Sequence, residues 1–437
     1  MSASGALWRN WARTEEVRPR RVERPGSVGA VQRAVIAAGK AGLPIKAVGS
    51  GHSFTGIAVA PGVQLDLYDL GEGIRVDAAA RQVTVAAGLT LHRLVRLLQP
   101  HGLALPNLGD IDRQTVAGAV STGTHGTGGG LGGLAGQVVA LTQVTGDGSL
   151  LRVSGSENAE LLPAVALGLG ALGIIVDVTL QCVPSFLLHA VETAEPLDAV
   201  LEAYVARTEA VDHFEFFWFP HTRTALTKTN TRVPAESGRR PLGRVSRWVD
   251  DELLANGAFR GTCALGALRP SLVPRFNRLA ERLGSGREYT DDSARVFVTN
   301  RTVRFREMEY ALPLAAVPVA LNEVRALIES RGWRISFPIE VRAAAADALW
   351  LSTAAGRPTG YIAVHRYFRE NHAEYFQAVE EIMRAHGGRP HWGKIHYQDA
   401  ESLRGLYPRF DDFLRVRDRL DPERRFGNPY LERVLGS

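Results

Sequence analysis

Two glycine-rich stretches constrain this chain more than any other feature. The first is "VGSGHSFTG", residues 48–56. The second is "NLGDIDRQTVAGAVSTGTHGTGGGLGG", residues 107–133, in which nine of twenty-seven residues are glycine. Glycine lets backbone approach an anion with no side chain in the way. Two loops rich in backbone N–H donors can therefore wrap a long, pyrophosphate-containing cofactor from two sides. The other familiar phosphate loops fit less well. A P-loop ends in Gly-Lys-Ser/Thr, and neither stretch does. The dinucleotide fingerprint G-x-G-x-x-G opens a helix. Gly49 and Gly51 begin such a pattern, but position 54 is phenylalanine, and the "IAVAPGVQLDL" that follows is strand-like and interrupted by Pro61. The first loop also carries an imidazole, His52, where a phosphate loop usually has none.

The remaining composition narrows the class. A chain of 437 residues suggests two to three domains. At 45% hydrophobic and 22% charged it is an ordinary globular composition. No apolar run of about 18 residues suggests a transmembrane span, and the first residues lack the apolar core of a secretory signal. Cys182 and Cys263 show no metal-ligand spacing, so free thiols in a cytosolic chain are expected and no metal site. The net charge is +5, yet the arginines are interleaved with acids and form no long basic run, which argues against a nucleic-acid partner. Only Lys40, Lys46, Lys228 and Lys394 are lysines; the first three read as ordinary.

Periodicity places the elements. "VGAVQRAVIAAGKAG" reads as a helix capped by Ser27, and "PIKAVG" as a strand entering the first loop. "VQLDLYDL" reads as a strand, "IRVDAAARQVTVAAG" and "VVALTQVTGDGSLLRVS" as hairpins, and "TLHRLVRLLQPHG" as a helix stopped by Pro100 and Gly102. "ENAELLPAVALGLGALG" suggests a helix and "IIVDVTLQCV" a buried strand. After Pro184 the chain alternates strands ("HFEFFWFP", "REMEYAL", "WRISFPIEVR", "GYIAVHRYF") with helices ("PVALNEVRALIESRG", "AEYFQAVEEIMRAHGG"), with a loop at 240–247. A helix is expected around Asp411–Leu420. In "RISFPIEVR" the period-two pattern puts Ile335, Phe337, Ile339 and Val341 on one face. Ser336, Pro338, Glu340 and Arg342 share the other, with Glu340 and Arg342 about 7 Å apart. His125 reads as a packed or backbone-bonded loop histidine, and Asp110 and Asp112 carry no assigned role.

"AVGSGHSF", "GTHGTG", "GALGIIVDVTL", "PIEVR", "RPHWGK" and the closing "LDPERRFGNPY" together resemble the sugar-lactone oxidoreductases of the vanillyl-alcohol oxidase family. The resemblance implies an α+β fold: a two-subdomain FAD-binding domain over 1–185, an α+β cap domain over 186–390, and a C-terminal segment, 391–437, returning to the active site. It implies FAD joined covalently to His52, through the 8α carbon of the flavin. Backbone of Val48, Gly49, Ser50, Gly51 and Ser53 would hold the pyrophosphate. Thr115, Gly118, Ser121, Gly123 and Thr127 would lie in the second FAD loop, and Ile174 or Ile175 at the adenine end. Glu340, Arg342 and Lys394 would be the catalytic trio. Arg342 and Lys394 are the candidates to stabilise the reduced flavin and the substrate oxygen, in an order the sequence leaves open, while Glu340 would accept sugar hydroxyls and orient Arg342. Thr115 is an expected substrate contact, and His365 is either a substrate contact or base or a satisfied structural histidine. The implied reaction is hydride transfer from a sugar-1,4-lactone (L-gulono-1,4-lactone or D-arabinono-1,4-lactone) to flavin N5, giving ascorbate or its five-carbon analogue. Alditol oxidation to an aldose and hydrogen peroxide is the alternative, and a nucleotide-binding protein without redox chemistry is a second. The expected electron acceptor is dioxygen, a quinone or a cytochrome, and the expected location is the cytoplasm, free or at the periphery of a membrane.

Overall fold

Residues 5–71, 73–243, 257–283, 286–299 and 302–436 are described by the computed structural model; the expected loop at 240–247 lies outside them beyond Gly243. The helix Val28–Lys40 begins where Ser27 accepts the Ala30 N–H at 3.3 Å, and it buries Val31, Ala34, Val35 and Ala38. That spacing is one face of a helix. The helix connects the two outer strands of a three-stranded parallel sheet, ordered Arg21–Glu23, Val63–Leu65, Ile45–Ala47. A five-stranded antiparallel sheet follows, ordered Leu150–Ser154, Val138–Val144, Ile174–Gln181, Gln82–Ala86, Ile74–Asp77. One apolar core serves both sheets, and Phe410, Phe413, Phe426, Tyr430 and Leu431 from the end of the chain belong to it.

Residues 187–390 supply an eight-stranded antiparallel sheet. Its order is Arg287–Asp292, Leu187–Pro196, Thr224–Val233, His213–Trp218, Ile339–Ala344, Thr359–Tyr367, Phe305–Pro313, Arg389–Pro390. Strand side chains alternate between faces, and here the alternation divides the chemistry. Phe214, Phe216, Ile339, Val341, Ile362, Val364, Met308 and Tyr310 share one apolar cluster with the helices Leu197–Ala210, Val317–Ser330 and Ala373–Ala385. Their neighbours Glu215, Glu340, Arg342, Tyr361, His365, Glu307 and Glu309 point the other way, toward the first two sheets. The loop after Gly123 seals the junction. Thr127 Oγ1 donates to Phe214 O at 2.6 Å and accepts from Ala343 N at 3.2 Å, and Gly128 N donates to Ala343 O at 2.8 Å.

Three expected elements differ. The "VQLDLYDL" strand covers only Val63–Leu65, because the Asp66 carboxylate captures the Tyr68 N–H at 3.1 Å and turns the chain into a short 3-10 turn. The expected helix at 157–173 is reduced to Ala159–Leu161 and Leu162–Val165; beyond it Leu169 and Gly170 are left-handed and Gly173 has φ +158°, which no helix accommodates. The strand expected from Trp333 begins only at Ile339, after Pro338, which lacks a ladder donor. Consequently Phe337 packs with Phe54 and Phe305, in a different cluster from Ile339 and Val341. Among the described residues no helix is long and apolar enough to cross a membrane.

Candidate active site

Two adjoining cavities share the wall formed by His52, Ser53, Gln114 and Thr122. The larger is a groove of about 480 Å³. Residues 49–53 line it, and among the described residues none of their five consecutive backbone N–H groups donates to a protein acceptor. Their carbonyls and those that follow are gripped from behind. Trp11 N donates to Gly51 O at 2.8 Å, Asn10 Nδ2 to Ser53 O at 2.9 Å and Thr14 Oγ1 to Phe54 O at 2.7 Å. The Asn428 amide donates to the carbonyls of Gly56, Ile57 and Val59 at 2.9–3.1 Å. A run of free donors facing a groove is an anion cradle. Glycine is required in it: a Cβ on Gly49 would stand 2.4 Å from the Thr115 hydroxyl, and Gly51 is left-handed at φ +69°. These residues fit the diphosphate of FAD.

The expected cofactor residues do not all stand on this groove. Gly49, Ser50, Gly51, His52, Ser53, Thr115, Gly118, Ser121, Ile174 and Ile175 line it. Val48 also lines it, but its N–H is committed to Leu65 O at 2.9 Å. Thr115 caps the helix Val116–Thr122, its hydroxyl accepting the Gly118 N–H at 3.3 Å. It lines the groove and not the second cavity. Gly123 ends that helix at φ +77°, off the groove wall. Thr127 is spent on the cap strands, as above, instead of on a cofactor.

The second cavity lies between the first domain and the polar face of the large sheet. Glu307, Glu309, Glu340, Arg342, His125, His391 and Lys394 line it, all but Lys394 buried. Glu340 and Arg342 meet directly, closer than their spacing along the strand requires. Arg342 also reaches Asp110 and Glu215, each at 2.9 Å. It is therefore encased by three carboxylates, one of them from the glycine-rich loop. Lys394 pairs with Glu307. Burial opposes ionisation of Glu307, but the Lys394 ammonium and His365 hold it down at about 2. Burial likewise opposes the charge on Lys394, and Glu307 and Glu309 raise its pKa nonetheless. His365 sits behind Glu307: its Nδ1 donates to Pro338 O at 2.9 Å and its Nε2 lies 3.5 Å from Glu307 Oε1. It does not line the cavity, and Glu307 stands between it and that space.

Sequence reasoning missed five groups here: Asp110, Glu215, Glu307, Glu309 and His391. A signal existed for two of them. In "REMEY" the acids at 307 and 309 alternate with Met308 and Tyr310, which places both acids on one face. His125 keeps its expected backbone bond, Nδ1 to Gly126 O at 2.8 Å, and stacks on Tyr361 at 3.7 Å. Its Nε2 also lies 3.3 Å from Glu309 Oε1. Because Nδ1 must carry a proton to bond a carbonyl, that second contact is attractive only with another proton between the two atoms. Among the described residues His125, Glu309 and His391 offer ligand atoms within 4.8 Å of one another. Hydrogen bonding opposes a metal there. His391 Nδ1 accepts the Gly393 N–H at 3.0 Å, so Nε2 keeps the ring proton that a ligand would have to lose.

His52 joins the two cavities. Its ring stacks near Trp11, centroids 6.2 Å apart, and among the described residues nothing hydrogen-bonds its nitrogens. Burial, then the charges of Lys394 and Arg113, lowers its pKa, so the imidazole is neutral at neutral pH with a lone pair available. Lys46 and Lys228, read as ordinary, are both buried: Lys228 Nζ donates to Val296 O at 2.8 Å, and Lys46 lines the groove.

Comparison with known proteins agrees with this geometry. Residues 19–154 match an FAD-binding domain and residues 178–434 match D-arabinono-1,4-lactone oxidase. The chain is 44% identical to an L-gulono-1,4-lactone dehydrogenase of Mycobacterium tuberculosis, over 98% of this chain and 99% of that one. It is 34% identical to the L-gulonolactone oxidase of Bos taurus, over 99% and 98%. In structure it superposes on a solvent-stable cholesterol oxidase with a TM-score of 0.82, over 99% and 98% of the two chains at 19% identity, which shows a shared fold. A nucleotide-binding protein without redox chemistry is thereby set aside. The chain belongs to the D-arabinono-1,4-lactone oxidase family of FAD-dependent oxidoreductases.

Proposed function

We propose that this protein oxidises L-gulono-1,4-lactone or D-arabinono-1,4-lactone, with FAD tethered covalently through His52. The observation that carries the reading is the place of His52, which closes the anion cradle on one side and opens onto the acidic cavity on the other. Its neutral imidazole, free of hydrogen bonds among the described residues, offers the lone pair for a bond to the 8α carbon, from which a proton would leave while the electron pair passes into the flavin and on to its electron acceptor. Bound FAD supplies the acceptor for the hydride that leaves the substrate carbon. The residues of the chain do the rest. Glu309 and Glu340 accept the substrate's hydroxyls, and one of the two takes the hydroxyl proton as the carbonyl forms. Against burial, His125 and then Lys394 hold the Glu309 carboxyl below its usual range, and Arg342 pairs with Glu340. Burial under the sheet excludes water and strengthens each of these interactions.

The test is anaerobic mixing of the yellow protein with a panel of sugars. Bleaching by the two lactones, faster than by xylitol or sorbitol, is expected. Faster bleaching by the alditols would move the assignment to alditol oxidation, and no bleaching by any sugar would overturn it. Re-oxidation with dioxygen, a soluble quinone and ferric cytochrome in turn identifies the acceptor. Denaturing electrophoresis tests the tether: in-gel flavin fluorescence is expected in the wild type and absent in His52→Ala.

A further inference from the structure

Lys46 takes no part in the chemistry above, yet it is buried at 4% exposure in the strand that enters the first loop. Its ammonium donates to Gly170 O at 3.1 Å and Phe426 O at 3.0 Å. Among the described residues no carboxylate lies within ion-pair distance of it. The other cation on the groove wall, Arg24, is matched by Asp66 at 3.0 Å. A buried ammonium with no carboxylate in direct contact is unfavourable, and the groove it lines is the one whose free N–H donors fit a diphosphate. We propose that Lys46 is the counter-charge for the diphosphate of FAD and that, through the Phe426 carbonyl, it couples filling of the groove to the C-terminal segment that grips the His52 loop. Phe426 lies two residues before Asn428, whose amide holds Gly56, Ile57 and Val59. The charged groups that face Lys46 are Arg417 and Asp421. Burial first, then Arg417, brings its pKa down to about 7 against the pull of Asp421. An arriving diphosphate would raise it again, so binding takes up a proton above that pH and weakens as the pH rises.

Apoprotein made in riboflavin-starved cells provides the test, by calorimetric titration with ADP-ribose and with adenosine. ADP-ribose carries the diphosphate and does not itself titrate between pH 6.5 and 9; adenosine lacks the phosphates. Lys46→Met should weaken ADP-ribose about tenfold or more, the scale of one charged hydrogen bond, and adenosine less than about twofold. Lys46→Arg should keep most of the affinity. In the unaltered protein, ADP-ribose affinity should fall from pH 6.5 to 9 with proton uptake, while adenosine stays level. Equal losses for both ligands in Lys46→Met would overturn the proposal and leave a structural lysine. Should Lys46→Met fail to fold, the unaltered protein decides: an ADP-ribose affinity no more sensitive to pH than that of adenosine would also overturn it. Neither result bears on whether His52 is the tether or a lactone the substrate.

Discussion

The groove wall at residues 49–53 offers five backbone N–H groups, whereas the cavity beside it offers the ends of long side chains: Glu307, Glu309, Glu340, Arg342 and Lys394. The loop at 49–53 handles charge with fixed dipoles that no titration removes, and Lys46 adds a titratable charge to the same groove. The cavity handles it with buried ions that exist only while their partners do. A backbone cradle is sensitive to a Cβ added at Gly49 or Gly51, and its own donors do not titrate. A buried ion network is sensitive to the loss of any member, because each deletion strands the others in a medium of low dielectric. The two regions should therefore fail in different ways.

The largest effect should come from Arg342→Met. It strands Asp110, Glu215 and Glu340 together, so the rate of flavin reduction should fall by about 10²–10³-fold, with thermal stability lowered and the flavin content unchanged. Loss of flavin in this variant would show that the two regions are not separable. Gly49→Ala should do the reverse. Its Cβ would meet the Thr115 hydroxyl, so most molecules should be purified without FAD, while those that hold it reduce at close to the normal rate. Adding Thr115→Ala removes the obstructing oxygen and should restore loading, less about 1 kcal/mol of helix capping. Glu309→Gln keeps the shape of the cavity and removes one acceptor, and a fall of about tenfold in reduction rate, with normal loading, is expected. The smallest effect concerns His52. Because its pKa lies below the ordinary imidazole value, the neutral form persists as the pH falls through 6.5. Covalent attachment, followed by in-gel fluorescence after FAD is added to apoprotein, should proceed nearly as fast at pH 6.5 as at pH 8. A midpoint above pH 7 would contradict a neutral, desolvated imidazole.

The same contrast explains what could be read from the sequence. The cradle was legible because glycine announces itself: Gly49 and Gly51 have no other reason to cluster beside a strand end. Glu340 and Arg342 were legible as one face of a strand. The partners of Arg342 were not. Asp110 and Glu215 come from a loop and a strand more than a hundred residues away, and only the antiparallel neighbour set, His213–Trp218 beside Ile339–Ala344, brings Glu215 within reach. The helix expected at 157–173 failed because "ALGLGALG" carries a helical apolar pattern, while its glycines adopt conformations that pattern cannot reveal. Lys46 looked ordinary because one residue's burial depends on what packs over it, here Gly170 and Phe426, 124 and 380 positions later.

The grip of Asn428 on Gly56, Ile57 and Val59 spans about 370 positions. During synthesis Asn10, Trp11 and Thr14 can hold Gly51, Ser53 and Phe54 early, whereas the stretch at Gly56–Val59 waits for its clamp until residue 428 has left the ribosome. Pigment should appear only once Asn428 has left the ribosome, and a message cut short before codon 428 should yield a colourless product however well the earlier residues collapse.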